Sequence, residues 1–205
     1  MRISEIFYSL QGEGFLAGTP SVFVRLAGCP LHCRWCDTKY ACKQTAGRNY
    51  SIPEVVKAIK QWDCKFIVIT GGEPMINPEL PKLTQQLKTY NKHITIETAG
   101  IAFLTNIQCD LMSISPKLAN STPAEPHLAS IHESSRLNIP VLRKLLDNYK
   151  YELKFVVDSP NDLSEIKQII EKLGNVDPKR VMLMPQAAVR DELLAKSVSY
   201  THLRA

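Results

Sequence analysis

Three cysteines crowd one short stretch, Cys29-Pro30-Leu31-His32-Cys33-Arg34-Trp35-Cys36. Their C-x3-C-x2-C spacing lets three thiolates wrap one metal ion or one cluster without distorting the backbone. Iron–sulfur clusters are held by local cysteine runs of this kind. Three ligands rather than four would leave one iron of a [4Fe–4S] cube open to a substrate or cofactor. A zinc site completed by His32, Cys42 or another residue uses the same residue types, and spacing alone leaves that alternative open. The chain has 6 cysteines, and the other three, Cys42, Cys64 and Cys109, are scattered. That asymmetry suits one metal site better than a disulfide framework. Cys64, ahead of an apolar run, and Cys109 are expected in the core. Three further polar runs could meet a ligand: Gly71-Gly72-Glu73-Pro74, Glu97-Thr98-Ala99-Gly100 and Ser115-Pro116-Lys117.

Each of those runs closes an apolar segment that reads as a strand. Strands are expected over Ser21–Leu26, Phe66–Thr70, His93–Glu97, Asp110–Ser115, Tyr151–Val157 and Arg180–Met184. Helices are expected between them. Ser51 to Trp62 carries a capping-box pair, Ser51 and Glu54, and an apolar face of Val55, Val56, Ile59 and Trp62. Glu79 to Tyr90 follows with Leu80, Leu83 and Leu87, then Leu137 to Tyr149. Leu163, Ile166, Ile170 and Leu173 line a last helix ending at Gly174. The stretch from Pro116 to Ser135, broken by prolines and without periodicity, is expected to be a loop. The alternation implies an α/β fold with a parallel sheet and outer helices, as an open or closed barrel. Ligands of such folds sit at the C-terminal strand ends, where the polar runs fall.

Composition sets the outer bounds. At 205 residues and 44% hydrophobic content the chain suits one globular domain. The net charge is +5, but Lys and Arg are spread along the sequence, so a basic pocket for a small anion fits as well as nucleic acid. No apolar run reaches the ~18 residues of a membrane span. Glu5 interrupts the first apolar stretch and no small-residue cleavage site follows, so a secretory signal is not expected and the default compartment is the cytoplasm.

The three-cysteine loop paired with Gly71-Gly72-Glu73-Pro74 resembles the radical S-adenosylmethionine superfamily. Within it, Tyr8-Ser9-Leu10-Gln11-Gly12-Glu13-Gly14, Phe23-Val24-Arg25-Leu26-Ala27-Gly28-Cys29-Pro30 and Trp35-Cys36-Asp37-Thr38 resemble the 7-carboxy-7-deazaguanine synthase family of queuosine and deazapurine biosynthesis. Matching segments run from Glu5 to about Gln186. The resemblance implies an incomplete parallel (β/α) TIM-like barrel. It implies a [4Fe–4S] cluster on Cys29, Cys33 and Cys36, whose fourth iron chelates S-adenosylmethionine. The implied substrate is 6-carboxy-5,6,7,8-tetrahydropterin, contracted by radical chemistry to 7-carboxy-7-deazaguanine with loss of ammonia. Trp35, Cys36, Asp37, Gly71, Gly72, Glu73, Ser115, Pro116, Lys117 and, less firmly matched, Gln186 would meet S-adenosylmethionine. Glu73 would accept from its ammonium. Leu10, Gln11, Gly12, Glu13, Thr70 and Glu97 would meet the pterin, and Arg25 its carboxylate. Thr38 would offer its hydroxyl to Mg2+. The family further implies a homodimer and a flavodoxin-like electron donor, with no nucleic-acid or membrane partner.

The residue types agree with those roles. A flat polar heterocycle needs paired donors and acceptors, which Gln11, Glu13 and Glu97 supply. A guanidinium suits a carboxylate. Plainer uses exist for the same residues: a turn at Gln11–Gly14, a salt-bridged strand position for Arg25, a turn cap for Thr38, a solvated Lys117. The superfamily also leaves room for an activase of a glycyl radical enzyme. A non-catalytic iron–sulfur or zinc module is the alternative from another class. Pro185-Gln186-Ala187-Ala188 lacks the second proline of the family's usual Gln-Pro pair. Residues 1–195 are expected to form the radical S-adenosylmethionine domain. The tail at 196–205 resembles nothing in the family. It is expected to be a truncated or frame-shifted end, poorly packed, with part of the substrate pocket missing. Burial of Tyr200 and Leu203 would contradict that.

Overall fold

The structure, a computed structural model, describes residues 1–187 and 189–201. In chain order its elements are β1 (Arg2–Leu10), β2 (Pro20–Leu26), α1 (Lys39–Cys42), β3 (Arg48–Asn49), α2 (Ile52–Ile59), β4 (Phe66–Gly71), α3 (Leu80–Lys88), β5 (His93–Thr98), β6 (Leu111–Ile114), α4 (Pro126–Ser135), α5 (Ile139–Asn148), β7 (Tyr151–Val157), α6 (Asp162–Leu173), β8 (Val181–Pro185) and α7 (Arg190–Thr201). They build one 8-stranded sheet in the order β3-β1-β2-β4-β5-β6-β7-β8. β2 and β4 to β8 run parallel, while β1 lies antiparallel to both β2 and β3.

The two faces of the sheet have different chemistry. Side chains at paired register positions share a face. Val24, Ile69, Ile96 and Met112 pair across β2, β4, β5 and β6, and each is fully buried. They meet Val55, Val56 and Ile59 of α2, Leu80, Leu83 and Leu87 of α3, Leu142 and Leu145 of α5, and Ile166, Ile169 and Leu173 of α6 in one core. Each large aliphatic side chain so buried contributes about 1.5–3 kcal/mol. The next residue along each strand faces inward. Arg25 pairs with Thr70, Glu97 with Ser113, and Ser113 with Glu152. The core therefore lies between sheet and helices, and the inner face is a row of polar groups around a chamber.

Local devices fix the elements. Ser51 and Glu54 close the capping box of α2, with Glu54 Oε2 accepting from Ser51 N at 2.7 Å. The stretch from Pro116 to Ser135 is not a loop throughout. A 3-10 turn forms at Ala119–Ser121, and α4 occupies Pro126–Ser135. Pro126 suits a first helical turn, and α4 buries only His132. A helix with one buried residue leaves no apolar stripe to read. β1 also went unread, because its nine residues are mostly half-buried or exposed and show no clean alternation.

The boundary expected after residue 195 falls inside α7. There Lys196 contacts Asp158 at 2.9 Å and the Gln186 carbonyl at 2.7 Å. The side chains of Tyr200 and Leu203, on which the tail expectation turned, lie outside the described residues. Among the described residues, no helix is long and apolar enough to cross a membrane.

Candidate active site

A chamber of about 520 Å³ opens at the C-terminal ends of the parallel strands. Cys29, Cys33, Trp35, Cys36, Asp37 and Thr38 form part of its wall. Gly71, Gly72, Ser115, Lys117 and Gln186 also line it, as do Leu10, Gln11, Gly12, Glu13, Arg25, Thr70 and Glu97. Of the residues to which the resemblance gives a cluster, cofactor, Mg2+ or substrate role, only Glu73 and Pro116 are missing from the wall. A larger groove of about 870 Å³ between α2 and α3 holds none of them.

The cysteine loop is closed on itself by its backbone. Gly28 N donates to Ala41 O at 2.8 Å, Cys29 N to Cys42 O at 3.0 Å, and Cys36 N to Cys33 O at 3.2 Å. Cys42 Sγ lies 3.8 Å from Cys36 Sγ and also lines the chamber. Contact with Cys42, together with burial, pushes the Cys36 thiol up. Burial does the same to Cys33. Cys42 is pushed up to about 11, first by its contact with Cys29. His32 is exposed and outside the wall, and its backbone N–H donates to Nδ1 of the buried His132 at 3.1 Å. His32 is therefore poorly placed to complete a zinc site with the three cysteines, whereas Cys42 lies at the wall beside them. Among the described residues, no three His, Cys, Asp or Glu side chains converge closely enough for a single metal ion. A cluster spreads its irons and does not need its thiols to converge on one point. Three half-buried thiols from one loop are the soft donor set that an iron–sulfur cluster takes.

The end of β4 packs directly under this loop. Gly72 N donates to Leu26 O at 2.9 Å and Glu73 N to Gly28 O at 2.8 Å. A Cβ at Gly72 would strike the Gly28 carbonyl, and Gly71, at φ 132°, lies equally close to Leu26. Only glycines allow that approach. The expected role of Glu73 as an ammonium acceptor falls on a carboxylate that the protein already holds. Its side chain is 2% exposed, and both oxygens are engaged: Oε1 accepts from Met75 N and Thr98 Oγ1, Oε2 from Ala99 N. Burial pushes its carboxyl group up, and those three donors oppose the shift. Glu73 ties the ends of β4 and β5 together beneath the chamber.

Beside the cysteines, Lys117 Nζ donates to Ser115 Oγ at 2.9 Å and sits 5.3 Å above the Trp35 ring. Lys117 is thus held at the wall rather than solvated. Thr38 precedes α1 but makes no side-chain cap, and its Oγ1 lies 3.8 Å from Cys36 Sγ. Its hydroxyl remains available to the chamber.

The rest of the wall belongs to the inner polar row. Glu97 accepts from Gln11 Nε2 at 3.0 Å and from Thr70 Oγ1 at 2.7 Å. Glu13 N donates to Gln11 Oε1 at 3.3 Å, so Gln11 to Glu13 also form a local turn. Arg25 Nε donates to Glu5 Oε1 at 2.6 Å, and Tyr40 Oη donates to the same oxygen at 2.6 Å. Arg25 is therefore both a salt-bridged strand residue and a chamber residue. Glu5 grips its Nε edge, leaving the terminal nitrogens for a ligand.

The radical SAM superfamily matches residues 23–121, from β2 through the 3-10 turn after β6. A 7-carboxy-7-deazaguanine synthase from Rhodopirellula baltica is 41% identical over 197 residues, covering 94% of this chain and 76% of that protein. One from Halobacterium salinarum is 36% identical and covers 96% of this chain and 81% of its own length. The chain belongs to the 7-carboxy-7-deazaguanine synthase family. The crystal structure of QueE from Escherichia coli superposes with a TM-score of 0.70 at 25% identity, covering 98% of this chain and 90% of that one. TYW1 with a lysine-pyruvate adduct bound shares the fold, with a TM-score of 0.54 at 15% identity. Membership decides against the activase and the non-catalytic module.

Several wall residues escaped the sequence reading. Phe7 and Phe23 stack at 5.0 Å and line the chamber from β1 and β2. Glu5, the partner of Arg25, was hidden because β1 itself was not read as a strand. Lys154 of β7 also lines the chamber. Its signal was present: Glu152 and Lys154 alternate with Tyr151, Leu153, Phe155 and Val157. Charges at every second position of an apolar strand mark a face turned to something polar.

Proposed function

We propose that this chain converts 6-carboxy-5,6,7,8-tetrahydropterin to 7-carboxy-7-deazaguanine, releasing ammonia, in queuosine biosynthesis. The observation that carries the proposal is the shared chamber: three cysteines at one part of the wall, a carboxylate-and-guanidinium row at another. A [4Fe–4S] cluster on Cys29, Cys33 and Cys36, with S-adenosylmethionine, would supply the 5′-deoxyadenosyl radical that starts the ring contraction. Gly72, Trp35, Asp37, Ser115, Lys117 and Gln186 are then the S-adenosylmethionine contacts, Gly72 by its backbone at the wall and Lys117 by its charge. Glu73 serves them from below by holding the strand ends.

On the substrate side, Arg25 takes the pterin carboxylate. Gln11, Glu13 and Glu97 present acceptors and one amide to the N–H edge of the ring, and Thr70 holds the second oxygen of Glu97. Phe7 and Phe23 give a flat heterocycle an apolar surface. Thr38 is one neutral oxygen, a meagre Mg2+ site unless the substrate's own oxygens complete the shell. A radical S-adenosylmethionine domain over residues 1–195, a homodimer and a flavodoxin-like electron donor belong to the same reading.

The test is anaerobic turnover of 6-carboxytetrahydropterin by the reconstituted chain with S-adenosylmethionine, Mg2+ and reductant. The expected result is 7-carboxy-7-deazaguanine and ammonia in equal amounts, with S-adenosylmethionine regenerated. Cleavage of S-adenosylmethionine with no deazaguanine formed would contradict the substrate assignment.

A further inference from the structure

Lys154 belongs neither to the cysteine loop nor to the residues that the family resemblance assigns to the site. It sits on the inner face of β7 and is 3% exposed, yet its side chain reaches the chamber wall. Nζ donates to Glu13 Oε2 at 2.9 Å and lies 4.0 Å from Glu97 Oε1. A third carboxylate on the same face, Glu152, is already engaged: Ser113 Oγ donates to one oxygen and Phe15 N to the other. Burial alone would favour the neutral amine, but the charges of Glu97, Glu13 and Glu152 outweigh it and keep the group an ammonium.

Glu13 and Glu97 come from distant parts of the chain, the loop after β1 and the end of β5. Two carboxylates facing one chamber repel each other, and unless a cation lies between them they splay apart. Gln11 bonds to Glu97 but carries no charge, and Arg25 is paired with Glu5. Among the described residues, Lys154 is the cation in contact with both carboxylates.

We propose that Lys154 is a positioning residue that holds Glu13 and Glu97 at a fixed spacing for the N–H donors of the substrate ring. The inference rests on the functional reading above and deepens it. A donor-rich edge, such as the amino-pyrimidinone of a pterin, meets two acceptors set at one spacing. Lys154 donates to Glu13 and faces Glu97 with its charge from behind. It selects for ligands that present N–H groups and against ligands that present acceptors there.

The test compares the reconstituted full chain with Lys154→Met and Lys154→Arg, using 6-carboxytetrahydropterin. Iron per chain serves as the check on fold and cluster. Lys154→Met is expected to raise KM by about 10- to 100-fold, with the loss falling more on KM than on kcat. Lys154→Arg keeps the charge and is expected to recover most of the loss. If Lys154→Met does not fold, Lys154→Gln removes the charge while keeping a donor for Glu13, and the same rise in KM is expected. Unchanged KM in the neutral variants would overturn the inference while leaving the function standing. So would a neutral variant rescued by nothing, with kcat and iron content falling together. If the unaltered chain itself fails to turn over the pterin, the functional reading falls and the inference falls with it.

Discussion

Replacing Arg25 with methionine should cost about 2–5 kcal/mol of substrate recognition, the range for truncating one partner of a desolvated charge pair. That corresponds to a rise of about 30-fold to several thousandfold in KM for the carboxylated pterin. Arg25 is 16% exposed at its side chain, and Glu5 takes Nε at 2.6 Å, which fixes the plane of the guanidinium. Register brings this about: Glu5 lies opposite Arg25 in the β1–β2 pair, and Arg25 lies beside Thr70 in the β2–β4 pair. Arg25→Lys should recover little, because an ammonium cannot serve Glu5 and a carboxylate with one planar fork. Glu5→Gln should fall between, since an amide oxygen still accepts from Nε but the charge is gone. Measuring binding of tetrahydropterin without the 6-carboxylate separates causes. Arg25→Met should weaken the carboxylated ligand and barely affect the other. Equal losses on both would place Arg25 in the scaffold rather than at the carboxylate.

The second large effect concerns the cysteines. Alanine at Cys29, Cys33 or Cys36 should remove the cluster and lower reductive cleavage of S-adenosylmethionine below detection. The fold should survive, because these three are half-buried in a loop and absent from the core of the sheet. Cys42 makes the comparison informative, since its sulfur touches Cys36. If three thiolates hold the cluster and one iron stays open, Cys42→Ser keeps its iron and its cleavage activity. If Cys42→Ser loses iron as completely as Cys36→Ala, four thiolates close the site and the open-iron account fails. Cys64 is buried against the Pro20 and Phe66 carbonyls, so Cys64→Ala should leave iron content untouched.

The parallel strands were legible because each is a short apolar run closed by polar residues, and the register of those closing residues builds the chamber. The cysteine loop was legible because its ligands are local in sequence. What was not legible depends on pairing between distant segments. The Glu5–Arg25 contact needs β1 to be antiparallel to β2, and β1 has too mixed a burial pattern to announce itself. Lys154 reaches Glu13 across 141 positions of sequence. The protein donors to Glu73 were hidden for a related reason. The tight approach of Gly72 to Gly28 turns the next side chain under β5, where Thr98 and Ala99 supply its donors. α4 was missed because a helix that buries one histidine has no stripe.

The most direct test of the central claim is the metal content of the chain after anaerobic reconstitution, read together with the electron paramagnetic resonance of the reduced protein with and without S-adenosylmethionine. The account predicts four irons and four sulfides per chain, with a signal that changes when S-adenosylmethionine is added, because one iron has no protein ligand. Stoichiometric zinc with no iron uptake, or a cluster whose signal ignores S-adenosylmethionine, would contradict it.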